Sequence, residues 1–236
     1  MSSVLHDGLL ALGFGDGNFS GIQTRKAEEL EPILESYVSA LQEYNSKFDL
    51  INTDEHDEIV IRHILDSLAA VSELCSQISK RFPEIPDDFV IADIGSGAGL
   101  PGIPLSAALP TFKFVCVERM TKRCGFLNHC KELLNLQNVS VEENQVERLM
   151  QKRFAVAVFR AFRPLEKKMT KVLLRILQDN GFLAAYKARH DKIAEEMAAL
   201  PQNPSYSVVP LLVPFLTENT GTEEERERNL VIIEKA

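Results

Sequence analysis

The run Val90-Ile91-Ala92-Asp93-Ile94 is a buried-strand pattern ending on an acid and isoleucine, and it opens into Gly95-Ser96-Gly97-Ala98-Gly99-Leu100-Pro101-Gly102. Glycines at Gly95, Gly97 and Gly99 let the backbone take positive φ and remove a Cβ from the path of a ligand, while the next helix start offers free N–H groups. Such a strand-loop-helix junction holds a nucleotide-like cofactor. Read from Gly95, the dinucleotide fingerprint GxGxxG fails at Leu100; read from Gly97 it is satisfied, with Pro101 inside it, so spacing alone leaves a dinucleotide open. Asp93 favours another class. A pyrophosphate is doubly charged, whereas a sulfonium cofactor with an amino-acid tail tolerates a nearby carboxylate, which points to S-adenosylmethionine. Glu118, 19 residues after Gly99 at the end of the next strand, is placed to accept hydrogen bonds from both ribose hydroxyls. The competing reading of Glu118 is an acid at a helix start.

Elements that could position these residues follow from periodicity. Leu30, Ile33, Leu34, Tyr37, Val38, Leu41 and Tyr44 recur at helical spacing, and Ile61, Ile64, Leu65, Leu68, Val71 and Leu74 do so again, predicting two helices. Pro83 and Pro86 mark a linker into the strand at 89–94. Then come a helix at 102–109, a strand at 112–118, a helix at 121–135, strands at 138–142 and 154–160, a helix at 164–178, a strand at 181–187 and a helix at 190–199. Strands near 206–213 and 228–234 have no long helix between them and are expected to pair as an antiparallel hairpin. This alternation predicts an α/β fold: a Rossmann-like, mostly parallel sheet with helices on both faces, preceded by a small helical part. We place the boundary so that residues 1–86 form the helical extension and 87–236 the cofactor-binding domain.

Charge is unevenly spread along a chain of 236 residues with a net charge of −8. From Glu28 to Glu58 there are ten acids and one base, Lys47, and a second acidic run covers Glu223 to Glu227. From Gln151 to Arg175 there are eight bases and one acid, Glu166, and Arg119, Lys122, Arg123 and Lys131 follow one another without an intervening acid. Single runs of this kind are often solvated helix faces, but two basic runs flanking a cofactor loop suit a polyanionic partner. Cys75, Cys116, Cys124 and Cys130 form no CxxC pair and have no histidine at zinc spacing, so they read as reduced core residues and no metal is expected. No apolar run reaches the ~18 residues of a membrane span, and Met1 to Gly17 lacks a basic, apolar leader; a cytoplasmic protein is expected.

The run His63-Ile64-Leu65-Asp66-Ser67-Leu68, the loop from Gly95 through Gly102-Ile103-Pro104-Leu105, the dipeptides Lys122-Arg123 and Phe126-Leu127, and Arg160-Ala161-Phe162 together resemble the RsmG (GidB) family in order and spacing. The resemblance covers roughly residues 37 to 234. It implies a class I methyltransferase fold with a seven-stranded sheet, S-adenosylmethionine as cofactor, and methylation of N7 of a guanine in 16S ribosomal RNA. It also implies that Gly95 and Leu100 line the methionine side of the cofactor, that Val146 and Glu147 lie beside its adenine, and that Arg160 borders the site. The sequence departs from the family pattern at Asp49-Leu50-Ile51 after Tyr44-Asn45, at Phe159 before Arg160-Ala161, and at Ala188 after Lys187, where a glycine is usual. The last change adds a methyl group near the expected substrate entrance.

Guanine N7 is an unprotonated lone pair, so its methylation needs alignment and exclusion of water rather than a general base. No residue is therefore assigned a catalytic role, and the sequence lacks the Pro-Cys and Asn/Asp-Pro-Pro-aromatic motifs of carbon and exocyclic-amine methylation. Arg123, Arg163, Lys187 and Arg189 fall at or just beyond strand carboxyl ends, or on the helix after Glu118, and are the candidate RNA contacts. His63 and Asp66 fit helix packing as well as substrate contact. The expected partner is 16S ribosomal RNA or the small ribosomal subunit, met by a monomer away from membranes. A small-molecule methyltransferase would need a lid, which the N-terminal helices could supply, but would leave the basic strand ends without a purpose. A nicotinamide oxidoreductase is separated from these by cofactor titration, and a noncatalytic RNA-binding module would not need the glycine loop.

Overall fold

The structure, a computed structural model, describes residues 3–200, 204–216 and 227–235. Of the acidic run at 223–227, only Glu227 lies within the described residues. Helix α1 (Val4–Ala11), a short hairpin β1 (Asn18–Phe19) and β2 (Ile22–Gln23), and the long α2 (Ala27–Phe48) open the chain. Short α3 (His56–Ile59), π-helical turns at Val60–Leu65 and α4 (Asp66–Leu68) follow, then α5 (Val71–Arg81). The sheet begins with β3 (Val90–Ile94) and continues through α6 (Gly102–Ala108), β4 (Lys113–Glu118), α7 (Thr121–Leu133), β5 (Val139–Glu143), a 3-10 turn at Val146–Arg148 and β6 (Phe154–Arg160). Helix α8 (Lys167–Ile176), β7 (Leu177–Lys187), α9 (His190–Ala198), β8 (Tyr206–Pro210) and β9 (Asn229–Glu234) complete it.

Strand order is β5-β4-β3-β6-β7-β9-β8. The first five strands are parallel and β9 runs antiparallel to both β7 and β8, so the expected closing hairpin forms with β9 inserted against the parallel sheet. Strand β6 is buried along nearly its whole length because both faces are covered, which is why its sequence reads as a continuous apolar run rather than an alternation. One face packs against α1, α2, α5, α6 and α7, the other against α8 and α9. The order reverses at β3, between β4 and β6, and ligands of open α/β sheets bind outside the carboxyl ends there.

Two sequence expectations change. The apolar period from Ile61 to Leu74 does not mark one helix: the backbone widens into π turns and then breaks at Ala69-Ala70. A π turn displaces the carbonyl ladder, and here the Arg62 carbonyl accepts a hydrogen bond from Arg160 Nη1 at 3.2 Å instead. Helix α8 starts at Lys167 rather than 164, because Pro164 lies in an irregular segment after β6 in which Ala161 takes φ +49. Helix α1, not anticipated from the sequence, is capped by Ser3 accepting from the His6 N–H at 3.0 Å. All four cysteines are buried free thiols, and burial pushes Cys75 and Cys130 up to about 12 and Cys124 to about 11, so none is a thiolate near neutrality.

Candidate functional site

At the carboxyl edge of β3, β4 and β6 a cavity of about 320 Å3 is lined by Gly95, Glu118, Arg119, Arg123, Asn144, Val146, Glu147, Phe162 and Arg163, among others. Glu118 is 4% exposed. Its Oε1 accepts the Arg119 and Met120 N–H groups at 2.8 and 2.9 Å, which fixes the start of α7, and Oε2 accepts the Gly97 N–H at 3.0 Å. The acid anchors a helix start and also faces the cavity, with acceptor capacity left on Oε2.

The glycines of the loop serve different ends. Gly97 (φ +58) keeps its Cβ side open, with nothing nearer than 3.8 Å. At Gly95 (φ +70) an added Cβ would meet the Phe162 ring at 2.7 Å, so this glycine admits an aromatic wall. Gly99 packs against Ile103, Leu127 and the Tyr37 hydroxyl, and Leu100 is buried; of the loop residues Gly95, Gly97, Gly99 and Leu100, Gly95 alone lines the cavity. Tyr37 was not singled out from the sequence. From α2 its hydroxyl donates to the Ala98 carbonyl at 2.6 Å, so the helical N-terminal part grips the loop from outside. Asp93 turns away from the ligand side: its Oδ2 accepts the Gly102 N–H at 3.0 Å and caps α6. Burial raises Asp93 to about 7, against the lowering effects of Gly102, Ser96 and Arg160. The proximity of Asp93 to a sulfonium, used to choose between cofactors, is thus not what this side chain provides.

A second cavity, about 460 Å3, adjoins the first and shares Ala161 and Phe162 with it. Arg62, His63, Asp66, Phe159, Arg160, Tyr186, Lys187, Ala188 and Arg228 contribute to its lining. Asp66, 4% exposed, binds Arg160 Nη1 at 2.6 Å through Oδ2 and Arg228 Nε at 3.1 Å through Oδ1. Arg160 Nη2 also donates to His63 Nδ1 at 3.2 Å, leaving the ring proton on Nε2. Burial, then the charges of Arg160, Arg62 and Arg228, lowers His63 to about 3, so it is neutral. Phe159, one of the departures, packs against Phe162 at 5.8 Å and forms wall, and the Ala188 carbonyl accepts from Asn229 Nδ2 at 2.5 Å.

The structure thus brings Gly95, Glu118, Arg123, Val146, Glu147 and Arg163 to one cavity and Arg160 and Lys187 to its neighbour. Arg189 lies apart, over a small pocket beside α9. The four candidate RNA contacts all have carboxylates nearby: Arg123 is 4.0 Å from Glu118, Arg163 3.5 Å from Glu147, Lys187 2.9 Å from Glu196 and Arg189 2.7 Å from Asp191. Lys187, its side chain 20% exposed, is bound to Glu196, which also receives the Leu165 N–H. It braces the segment after β6 rather than projecting into solvent.

A family model described as rRNA small subunit methyltransferase G, GidB, matches residues 30–230. The chain belongs to this family. A ribosomal RNA small subunit methyltransferase G from Treponema denticola is 33% identical, with 98% of this chain and 96% of that protein aligned. The enzyme of that name from Salmonella arizonae is 34% identical over 85% of this chain and 86% of its own. Among solved structures, a precorrin-6y C5,15-methyltransferase from Geobacter metallireducens superposes with a TM-score of 0.51 at 18% identity, covering 72% of this chain and 88% of its own. The tRNA (m1A58) methyltransferase TrmI from Aquifex aeolicus gives 0.50 at 12% identity, covering 68% of each chain. These two establish the Rossmann-like methyltransferase fold. The chain is accordingly a methyltransferase, with S-adenosylmethionine as its cofactor. The cavity beside Gly95 and Glu118 fits that group: a buried carboxylate for ribose hydroxyls and the apolar Val146 for a purine.

Proposed function

We propose that the protein transfers a methyl group to N7 of a guanine in 16S ribosomal RNA, with Gly95, Gly97, Glu118, Val146 and Glu147 holding the cofactor and the target base entering the adjoining cavity. Gly99 and Leu100 shape the loop from behind. The observation that carries this reading is the junction of the two cavities at Ala161 and Phe162, which sets a donor chamber and an acceptor chamber side by side. When bound, S-adenosylmethionine supplies an electrophilic methyl on a sulfonium.

The chain's own residues align and exclude. Phe159 and Phe162 keep water from the line of attack, where hydrolysis of the donor would compete. Arg160 is held rigidly by Asp66, His63 and the Arg62 carbonyl, so it presents a fixed donor surface without reorganising. A guanine offers O6 and N7 as acceptors on one edge; an arginine directed at O6 alone leaves the N7 lone pair free to attack. Neutral His63 neither takes nor gives a proton at pH 7, in keeping with a nucleophile that carries none. Arg62 and Arg228, with Arg123 and Arg163 at the neighbouring cavity, oppose the phosphates around the target nucleotide.

Residues 1–86 and 87–236 act as one unit in this reading, since Tyr37 binds the loop, Tyr186 donates to the Ser67 carbonyl at 2.8 Å and Asp66 pairs with Arg160. Both cavities are completed by one chain, which supports a monomeric enzyme, and a ribosomal RNA substrate supports a cytoplasmic one. The test is methyl transfer from labelled S-adenosylmethionine to small subunits from cells lacking the endogenous enzyme, followed by N7-specific cleavage of the RNA. One cleavage at a guanine is expected. Label on another atom or on protein overturns the assignment.

A further inference from the structure

The acidic stretch of α2 and the basic start of α7 meet at an aromatic cluster that the site described above does not use. Phe48, the last residue of α2, is 39% exposed. Its ring stacks on Tyr44 with centroids 5.9 Å apart and planes at 30°. Tyr44 in turn lies 5.1 Å from His129, also at 30°, and 5.0 Å from the buried ring of Phe126. The outermost ring is therefore backed by a ladder anchored in the core and cannot easily collapse inward. Lys122, from the first turn of α7, sets its Nζ 5.9 Å from the Phe48 centroid. That lies at the outer edge of a cation-π contact on an exposed, flexible side chain, so it shields the ring weakly.

Charge separates this patch from the rest of the rim. Whereas Arg123, Arg163, Lys187 and Arg189 each face a carboxylate, Arg119 and Lys122 are exposed and have no ion-pair partner among the described residues. Arg119 and Met120, the latter 46% exposed, also line the cofactor cavity, so the patch runs into the cleft. An exposed aromatic face beside unpaired cations is what single-stranded nucleic acid requires: the cations oppose phosphates, and a base stacks on the ring whatever its identity.

We propose that Phe48 is a stacking platform for an unpaired base of the RNA substrate, outside the catalytic cavities, with Lys122 and Arg119 holding the adjoining phosphates. The proposal rests on RNA being the substrate and adds where a strand flanking the target nucleotide runs: along α7. Lys122 then exchanges its place over the ring for a phosphate as the base moves in.

The chain contains no tryptophan, so Phe48→Trp creates a lone indole emitter at the platform. Titration of this variant with oligouridylate, and separately with deproteinised 16S ribosomal RNA, is expected to quench emission saturably, and adding Lys122→Glu should weaken the quench. In the parent protein, Phe48→Leu keeps apolar bulk without a π face and is expected to lower RNA affinity on the order of 5- to 100-fold, with S-adenosylmethionine affinity unchanged. Phe48→Tyr should restore it. Lys122→Ala should reduce the salt slope of binding by about one. Unquenched emission while the same RNA is still methylated overturns the platform and leaves the proposed function standing. Equal RNA affinity for the Leu variant overturns it too, as does emission that changes with protein concentration alone, which would make the patch a self-association surface. Quenching without methylation of any guanine would sink the functional reading and keep the platform.

Discussion

The carboxylate of Asp66 binds Arg160 at 2.6 Å, joining an N-terminal helical segment to the end of β6 across 94 residues of chain. Its other oxygen holds Arg228 at 3.1 Å, so one buried acid balances two arginines at the wall of the proposed base cavity. Replacing it by Asn removes the charge that Asp66 sets against both cations, whose side chains are largely buried. Asp66→Asn is expected to cost about 3 kcal/mol of stability and to lower kcat/KM for RNA, measured by urea unfolding and single-turnover methylation. Pairing it with Arg160→Met should cost less than the sum of the single changes. Additive losses would show that the two residues act independently.

Asp93 gives a pH signature. Burial raises its carboxyl to about 7, above the ordinary value of 3.8 that it regains on unfolding. A raised acid contributes stability that is full below the unfolded value and lost as pH climbs toward the folded one, because unfolding then releases a proton. Between about pH 4 and 7, Asp93 should therefore erode stability, by a total on the order of a few kcal/mol. An asparagine side chain at this position would still accept from the Gly102 N–H without ionising. The difference between Asp93→Asn and parent unfolding free energies, followed from pH 4 to 8 without cofactor, should swing in favour of the variant. A flat difference would mean that Asp93 is ionised throughout.

What the sequence made legible was local. The strand into Gly95, the acid at Glu118 and the alternation through Lys187 are patterns of near neighbours, and the structure places those elements close to where periodicity put them. Apolar period reports which face is buried, not whether the backbone continues, so Ile61 to Leu74 read as one helix although π turns and a break lie within it. Charges were visible but their partners were not. Lys187 reads as a free base until Glu196 is folded against it, and Arg228 gains its meaning only from Asp66, 162 residues away. Tyr37 lay inside an apolar stripe and looked like core, which it is; its hydroxyl is what reaches the loop.

Tyr37→Phe removes that hydroxyl alone. The Ala98 carbonyl, accepting at 2.6 Å in a buried setting, would be left without this donor. A loss of about 1–3 kcal/mol is expected, shared between global stability and the geometry of Gly97 and Gly99. Calorimetric titration with S-adenosylmethionine should show weaker binding, with no direct change to any group lining the cavity. Parent-like affinity together with parent-like stability would mean that the loop holds its shape without α2.

Gly95 and Phe162 offer the sharpest test of the junction of the two cavities. A methyl group at Gly95 would lie 2.7 Å from the Phe162 ring and would also force a side chain onto φ +70. Gly95→Ala should therefore weaken cofactor binding by displacing the ring and destabilise the fold through backbone strain of about 1 kcal/mol. Phe162→Ala removes only the clash, so the double variant should regain stability lost to overpacking and keep the part due to φ. Phe162→Ala by itself widens the junction of the two chambers to water and should raise the ratio of cofactor hydrolysis to RNA methylation, read from labelled methanol against labelled RNA. Equal stability losses for Gly95→Ala with and without Phe162 would place the ring away from the glycine in solution, and the junction would have to be assigned to Ala161 instead.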